Sequence, residues 1–308
     1  MIFLKKPLII LTGPTAVGKT KLSISLAQAV NGAIISADSM QVYRHMDIGS
    51  AKIRPEEMCG VPHYLIDVLD PSEEFHVVKF VELAHEAMEK IYAAGQIPIV
   101  TGGTGFYIQA LLKEVDFTES HGELPIRKQL EEKAATEEGA AELYRELSEV
   151  DPASAETIHP NNVKRVIRAL EYYHETGQKI SEHNEEQKQK ESPYCSAYFV
   201  LNDERSILYD RIDRRVDQMI CDGLVDEVFR LKEMGYTRDL VSMQGLGYKE
   251  MFPYLAKRQL TWFRREKDVI WLNKPDFDYD EEKILSYMLD RWNEIVSADA
   301  KEEGEQSC

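Results

Sequence analysis

Residues 7–20, PLIILTGPTAVGKT, contain the motif from which the fold can be predicted. The apolar residues 8–11 predict a short buried strand, and residues 13–20 match the pattern G-x-x-x-x-G-K-[ST] of a phosphate-binding loop. Apolar residues spaced by three and four through 22–30 predict a helix that ends at Asn31-Gly32. Because the motif binds phosphate in the context of strand, loop and helix, the chain is predicted to bind a diphosphate or triphosphate.

The residues of this loop have distinct predicted roles. Backbone N–H groups of the loop and the N-terminus of the following helix attract the negative charge of a phosphate. Lys19 is predicted to reach an outer phosphate, and the hydroxyl of Thr20 to ligate Mg²⁺. The predicted diphosphate-binding residues are Gly13, Pro14, Thr15, Ala16, Val17, Gly18, Lys19 and Thr20.

Composition limits the class of protein to which this chain of 308 residues belongs. The length suits one large domain, or a core with an insertion. No stretch approaches the roughly 20 apolar residues of a membrane-spanning helix. The four cysteines form no C-x-x-C pair, so neither a zinc site nor a disulfide framework is indicated. These features are typical of a protein in the reducing cytoplasm.

The charge distribution leaves a nucleic-acid partner open. A net charge of −17 argues against one, but a phosphate backbone responds to a local basic patch rather than to the total charge. The basic clusters are Lys164, Arg165 and Arg168; Arg211, Arg214 and Arg215; and Lys257, Arg258, Arg264, Arg265 and Lys267. A solvated helix face is the ordinary interpretation of any one cluster, and the presence of three weakens that interpretation.

Five further strand candidates, each short and apolar, lie at residues 33–37, 63–67, 97–101, 197–201 and 269–272. Pro98 predicts that the third of these is an edge strand. The carboxyl ends of parallel strands face the ligand crevice, which is where Asp38 and the glycine loop around Thr104 would lie. Asp38 is therefore a candidate Mg²⁺ ligand or general base, with a turn aspartate as the alternative.

Residues 115–192 predict an inserted, all-helical domain. Apolar runs shorten there, charge rises, and helices are predicted at residues 124–135, 138–149, 152–158 and 162–176. Residues 178–192 are polar and are predicted to be mobile. Lys164, Arg165 and Arg168 share one face of the last helix, because they are spaced by three and four residues.

The predicted fold is α/β, a P-loop NTPase-like parallel sheet flanked by helices, with this helical insertion. The core comprises residues 1–114 and 193–296, and residues 297–308 are predicted to form a disordered tail. Arg211 and Arg215 lie one turn apart on a helix that follows a core strand, which makes them candidate clamps for a diphosphate. Surface ion pairs are the alternative for both arginines.

Several activities are compatible with a phosphate-binding loop. Residues 273–276, Asn-Lys-Pro-Asp, match the guanine-reading N-K-x-D of GTPases, but no glycine follows an aspartate by three residues, so the required D-x-x-G is lacking. These four residues are predicted to form a turn. A small-molecule kinase would place ATP on the loop and use a carboxylate as base. A carbon-group transferase would hold a leaving diphosphate there and use Asp38 to take a proton from the acceptor.

The sequence also resembles a known family, the tRNA dimethylallyltransferases or isopentenyl-tRNA transferases. The similar segments, in collinear order, are GPTAVGKT (13–20), SADSMQVYRHMDIGSAK (36–52), PHYLIDVLDP (62–71), IPIVTGGTGFYIQALL (97–112), IHPNNVKRVIRALE (158–171), RIDRRVDQMI (211–220), SMQGLGYKE (242–250) and AKRQLTWFR (256–264). They cover most of the chain, whereas kinases share only the first segment.

The resemblance implies transfer of a dimethylallyl group from dimethylallyl diphosphate, assisted by Mg²⁺, to N6 of an adenosine on the 3′ side of a tRNA anticodon. By the family pattern Asp38 orients or deprotonates the N6 amine and Thr104 bonds the bridging oxygen of the diphosphate. Arg215 clamps the diphosphate together with Lys19. The residues that fall where the family contacts tRNA are Asp38, Ser39, Met40, Gln41, Thr104, Arg127, Lys164, Arg165, Arg168, Gln244, Gly245 and Gly247.

The resemblance further implies a cytoplasmic, monomeric enzyme that binds the anticodon stem-loop of tRNA and no membrane. The chain departs from the family pattern at one place. In the family a helical stretch rich in Arg and Lys separates G-Y-K-E-M from A-K-R-Q, whereas here Leu255 is followed directly by Ala256. Either the chain truly lacks this stretch, which is expected to weaken its binding of tRNA, or the stretch is missing from the recorded sequence, which a distance well above about 3.8 Å between the Cα atoms of Leu255 and Ala256 would reveal.

Overall fold

A computed structural model describes residues 5–115, 125–237, 239–245 and 269–306. Its strands are β1 (Lys6–Thr12), β2 (Gly32–Ser36), β3 (His63–Tyr64), β4 (Ile97–Gly102), β5 (Tyr194–Asn202) and β6 (Ile270–Asn273). They form one parallel sheet in the order β3-β2-β4-β1-β5-β6. The predicted parallel sheet flanked by helices is thereby confirmed. Gly247 and the junction of Leu255 with Ala256 lie outside the described residues.

The helices within the described residues are α1 (Lys19–Val30), α2 (Val77–Ala93), α3 (Gly105–Lys113), α4 (Pro125–Lys133), α5 (Glu137–Val150), α6 (Pro152–Thr157), α7 (Val163–Thr176), α8 (Ile180–Gln189), α9 (Arg205–Cys221), α10 (Leu224–Glu233) and α11 (Glu281–Gln306). Two short 3₁₀ helices occupy Ser242–Gln244 and Lys274–Phe277. None of these described helices is both long and apolar enough to cross a membrane.

The central strand β1 fixes where the ligand edge of the sheet lies. Its neighbours are β4 and β5, with Ile9 in register with Ile99 on one side and with Ala197 on the other. The prediction that Pro98 marks an edge strand is wrong, because β4 lies between β2 and β1. Proline is tolerated there because it is the second residue of the strand, and the ladder with β1 begins only at Ile99.

Helices cover both faces of the sheet, as burial on both sides of β1 requires. Leu8 and Ile10 belong to one apolar cluster, and the intervening Ile9 and Leu11 belong to another. Alternate residues of a strand point to opposite faces, so a continuous apolar run is the pattern of a strand buried on both faces. This is why residues 8–11 predicted the strand correctly.

The chain forms two compact units, residues 1–112 with 193–308, and residues 113–192. The second unit contains α4 to α8 and has a core of its own, which includes Leu143, Leu147 and Leu170. The helices predicted at 124–135, 138–149, 152–158 and 162–176 are observed as α4, α5, α6 and α7. Their amphipathic spacing, a threonine N-cap on α5 and Gly177 after α7 explain this agreement.

The prediction of mobility for residues 178–192 is wrong over most of its length, because α8 occupies Ile180–Gln189. The carboxylate of the buried Asp151 explains why a polar segment is ordered. It accepts hydrogen bonds from the backbone N–H of Ser181 at 3.0 Å and from its hydroxyl at 2.6 Å. These bonds tie the first turn of α8 to the start of α6, which the sequence pattern could not reveal.

The prediction of a disordered tail is wrong over residues 297–306, because α11 continues to Gln306, and residues 307 and 308 lie outside the described residues. The helix begins with an apolar stripe at every fourth residue, and Ile284, Met288 and Trp292 are buried in the core. Beyond that stripe the sequence is rich in Ala, Glu and Lys, which have high helix propensity. Propensity therefore extends the helix past the last core contact.

Candidate active site at the carboxyl edge of the sheet

The phosphate loop between β1 and α1 depends on two glycines. Gly13 has a φ of +149°, and a Cβ there would lie 2.2 Å from the carbonyl oxygen of Leu201. Gly18 has a φ of +99° and is the N-cap of α1, where it supplies no side chain to cap the helix. The first N–H groups of α1 can therefore donate hydrogen bonds to a bound anion.

Lys19 is held against this loop. Its Nζ donates hydrogen bonds to the carbonyl oxygens of Gly13 at 2.9 Å and Pro14 at 2.7 Å. Burial lowers the pKa of Lys19 to about 7; the nearby carboxylate of Asp38 opposes this shift, and the cation of Arg215 adds to it. An anionic ligand would favour the charged form, so the loop is poised to bind one.

Asp38 follows β2 at the same edge of the sheet. Its Oδ1 accepts hydrogen bonds from the backbone N–H groups of Met40 at 2.8 Å and Gln41 at 3.3 Å. This is the turn geometry of the alternative interpretation. The same carboxylate lines the cavity described below, and its Oδ2 accepts no hydrogen bond from the described residues. The turn thus orients Asp38 without using both oxygens.

Arg211 and Arg215, the two candidate clamps, have different surroundings. Arg211 donates to the buried carboxylate of Asp203 at 2.8 Å and is not among the cavity residues. Arg215 lines the cavity and makes no hydrogen bond or ion pair with the part of the chain that the structure describes. Burial lowers the pKa of Arg215, and Asp38 raises it. Of the two, only Arg215 is available to a ligand in this cavity.

These groups share one cavity of about 520 Å³. Its polar lining includes Thr15, Lys19, Thr20, Asp38, Ser39, Gln41, Thr104 and Arg215. Its apolar lining includes Ile34, Met40, Ile53, Ile66, Phe106 and Met219. The cavity therefore offers anion-binding groups beside a surface for a hydrocarbon group.

Some predicted site residues play a different part. Val17 is fully buried in the core, and Gly13 and Pro14 contact Lys19 through their carbonyl oxygens. The amide of Gln41 is engaged within the protein, where it donates to the carbonyl oxygen of Ala51 at 3.2 Å. Val17, Gly13 and Pro14 shape the loop, whereas Gln41 lines the cavity with its amide already engaged.

Gly245 is brought to this site by the 3₁₀ helix Ser242–Gln244. A Cβ at Gly245 would lie 2.1 Å from Cε of Met40, which lines the cavity. The hydroxyl of Ser242 donates to the carbonyl oxygen of Pro71 at 2.7 Å and anchors the segment. Gly245 thus lies close to the flexible end of the Met40 side chain at the wall of the cavity.

The predicted RNA-contacting cations of residues 113–192 belong to the helical unit. Glu171, with its side chain 0% exposed, forms ion pairs with Arg127 at 3.4 Å and Arg168 at 3.0 Å. Lys164 and Arg165 are exposed on α7. A buried carboxylate therefore holds two arginines of this unit in place, and two further cations are free in solvent.

Sequence reasoning missed Glu227, which builds one wall of the cavity. Its carboxylate is 1% exposed and accepts hydrogen bonds from the backbone N–H groups of Asp47 at 3.0 Å, Ile48 at 2.8 Å and Gly49 at 3.1 Å. Gly49 and the residues after it line the cavity. The available signal was an acid on the apolar face of α10, between Leu224 and Leu231.

Comparison with known proteins adds an independent finding. The family model "IPP transferase" matches residues 41–257, and the model "Isopentenyl transferase" matches residues 6–74. A tRNA dimethylallyltransferase of Lachnoclostridium phytofermentans is 61% identical over 92% of this chain and 96% of its own length.

Solved structures show the same similarity. The full-length tRNA isopentenylpyrophosphate transferase of Bacillus halodurans is 42% identical, with a TM-score of 0.69 over 96% of this chain and 100% of that one. A eukaryotic dimethylallyltransferase described as acting on tRNA is 33% identical, with a TM-score of 0.70 over 96% of this chain and 69% of that one. The chain therefore belongs to the IPP transferase family, the family of the tRNA dimethylallyltransferases.

Proposed function

We propose that this enzyme transfers a dimethylallyl group from dimethylallyl diphosphate to N6 of the adenosine on the 3′ side of a tRNA anticodon, and releases diphosphate. One observation carries the proposal: a single cavity joins the phosphate loop at Lys19 to Asp38 and to an apolar wall. A kinase also needs the loop, but the apolar wall fits a prenyl group. The family membership supports the same reaction.

The donor half of the cavity stabilises the leaving group. As the bond from the allylic carbon to oxygen breaks, negative charge grows on the diphosphate. The N–H groups at Gly18, the ammonium of Lys19 and the guanidinium of Arg215 are the positive groups at this end, and such preorganised charge lowers the barrier. The hydroxyl of Thr104 lines the same cavity and is proposed to donate to the bridging oxygen.

The acceptor half acts on a weak nucleophile. An aromatic amine such as N6 reacts well only when it is aligned with the allylic carbon. Asp38 is held by the turn to Met40 and Gln41, and its carboxylate is proposed to orient N6 and to take its proton as the C–N bond forms. A base in a stacked anticodon loop cannot reach this cavity, so the adenine is proposed to be flipped out.

Mg²⁺ is proposed to bind with the donor. The described residues contain no group of three or more His, Cys, Asp or Glu that could hold a metal ion. Thr20 lines the cavity and offers one oxygen ligand, which fits an ion held mainly by substrate phosphates and water, as Mg²⁺ often is. When bound, Mg²⁺ would neutralise charge on the diphosphate.

The decisive experiment is incubation of labelled dimethylallyl diphosphate with unmodified tRNA, which is expected to give labelled tRNA. Asp38→Ala should lower turnover by about 10²- to 10⁴-fold with tRNA binding retained. Asp38→Asn is the matched control, because its amide oxygen can still accept the two N–H bonds while it cannot take a proton. If both variants turn over at nearly the normal rate, Asp38 is not the base.

The same assay separates the proposal from its alternatives. Phosphorylation of a small molecule that depends on ATP, without labelled tRNA, would support a kinase. Binding of tRNA without any product, unaffected by Lys19→Ala, would support an RNA-binding protein that is not an enzyme. Because the proposed acceptor is tRNA, we propose that the enzyme acts in the cytoplasm. We also propose that it is a monomer.

A further inference from the structure

Lys274 lies beside the phosphate loop, and the only motif that includes it is the N-K-x-D match whose GTPase interpretation was rejected above. It follows β6 and opens the 3₁₀ helix Lys274–Phe277. β6 pairs with β5, which pairs with β1, so Lys274 and the loop share one edge of the sheet. The Nζ of Lys274 lies 3.0 Å from the position that a Cβ of Gly18 would occupy, at the N-terminus of α1.

Lys274 is largely buried, and its ammonium has no counter-ion among the described residues. The residue is 7% exposed, and within the described ranges its Nζ donates no hydrogen bond and forms no ion pair. The two nearby carboxylates are engaged elsewhere, because Asp203 pairs with Arg211 at 2.8 Å and Glu281 pairs with Lys21 at 2.6 Å. An unpaired buried charge is costly to a folded protein.

The electrostatic surroundings of Lys274 agree with this geometry. Burial lowers its pKa, and the cation of Arg211 lowers it further. The carboxylates of Glu281 and Asp203 oppose the shift but do not cancel it. A bound anion would favour the charged form of Lys274.

We propose that Lys274 is a third cation of the donor site and binds the phosphate of the donor diphosphate that is remote from the prenyl group. Lys274, like Arg211, is not among the residues that line the cavity, and it is the sheet order that supports this choice of phosphate. The cavity residues Asp38 and Thr104 follow β2 and β4, on one side of β1, whereas Lys274 follows β6 on the other side. This inference rests on the assignment of the loop to a diphosphate under the proposed function.

The test uses inorganic pyrophosphate and the full chain, with titration calorimetry in the presence of Mg²⁺. Lys274→Met should weaken pyrophosphate binding at least tenfold, and Lys274→Arg, which keeps the charge, should stay within about threefold. Lys283→Met is the matched control, because it removes one exposed cation of the same region that pairs only with Asp278 among the described residues. It should leave pyrophosphate binding unchanged.

Thermal unfolding of the ligand-free protein separates binding from packing. Lys274→Met removes an unpaired buried charge and keeps the apolar stem, so its midpoint should equal or exceed that of the unaltered protein. Weaker binding together with a lower midpoint would indicate a packing role and overturn the proposal.

The binding result also separates this proposal from the one on which it rests. Equal pyrophosphate affinity in Lys274→Met and the unaltered protein would contradict the role of Lys274 alone. Failure of the unaltered protein to bind pyrophosphate would contradict both this inference and the assignment of the loop to the donor.

Discussion

At the scale of single residues, the site holds positive charge that is poorly compensated when no ligand is bound. Within the described residues, Lys19 bonds only to carbonyl oxygens, and neither Arg215 nor Lys274 forms an ion pair. Burial lowers the pKa of all three side chains. Positive charge that is fixed in place before the reaction needs no reorganisation as the diphosphate leaves, so these cations can stabilise the transition state.

Lys19 gives the first prediction, a pH dependence of pyrophosphate binding. In the free protein its pKa is about 7, far below the ordinary 10.5. Pyrophosphate binding needs the charged form of Lys19. Above about pH 7, Lys19 must therefore take up a proton when pyrophosphate binds, and the affinity for pyrophosphate should fall by up to tenfold per pH unit. Calorimetry between pH 6 and 9 measures this.

Lys19→Arg is the control for that titration. The guanidinium stays charged throughout, so the variant reports every titration other than that of Lys19, including those of pyrophosphate and of Lys274. The difference between the two proteins isolates Lys19. Parallel pH profiles would contradict the lowered pKa.

The same pKa sets a sign for stability. Between about pH 7 and 10.5 the unfolded chain binds more protons at Lys19 than the folded one does. The contribution of this residue to the free energy of unfolding therefore rises with pH across that window. Below about pH 7 the full cost of burying the charge remains.

At the scale of elements, helices and strands act mainly as carriers for groups at the sheet edge. The helix α10 shows this, because Glu227 reaches from its buried face to three consecutive N–H groups at Asp47, Ile48 and Gly49. Successive N–H groups that converge on one carboxylate form an anion-binding nest. The helix thereby fixes a turn whose next residues line the cavity.

Glu227→Gln is predicted to loosen this turn. An amide has one acceptor oxygen and cannot satisfy all three N–H groups, so the free energy of unfolding should fall by about 1–3 kcal/mol. Prenyl transfer should decrease more than tRNA binding, because the donor cavity loses its wall. Denaturant unfolding and the labelled transfer assay measure the two effects.

Asp226→Asn is the matched control, since it removes the adjacent exposed carboxylate on the same helix. Its cost should stay below about 1 kcal/mol, as for a surface charge in the first turn of a helix. If the two variants lose equal stability and equal activity, the role of Glu227 in holding the turn is refuted.

The helices also show how much secondary structure can be predicted from local sequence patterns. The helices α4 to α7 could be predicted because their apolar spacing and caps agree. α8 could not, since it depends on Asp151, a residue distant in sequence. The terminal part of α11 has few core contacts, and its helix propensity keeps it helical where a disordered tail is predicted.

At the scale of the whole molecule, each of the two units carries cations that we propose to bind phosphate. The core unit holds the loop and its cavity, and the helical unit holds Arg127 and Arg168 on the buried Glu171, with Lys164 and Arg165 exposed. Contacts to a nucleic-acid backbone are electrostatic and release counter-ions. Such contacts should therefore depend on salt separately from the chemistry of the donor.

The combined variant Lys164→Ala, Arg165→Ala tests this separation. Both side chains are exposed, so the fold should be unaffected. The slope of log K against log salt for tRNA binding should become less steep by about 0.7–0.9 for each lost phosphate contact. Pyrophosphate affinity should not change.

Arg145→Ala with Lys179→Ala removes the same charge from the same unit and is the control. It should leave the salt dependence of tRNA binding nearly as it is. Equal slopes for the two double variants would mean that only net charge matters and that α7 makes no direct contact.

The sequence by itself determined the phosphate loop, the parallel sheet and most helices, because strand burial, glycine conformation and helix periodicity are local properties of the chain. Tertiary structure alone decided which charges meet. Arg211 pairs with Asp203, Arg215 lines the cavity, and Lys274 lies beside Gly18. Those outcomes depend on how distant strands and helices pack, and electrostatic interactions follow distance in space rather than separation along the chain.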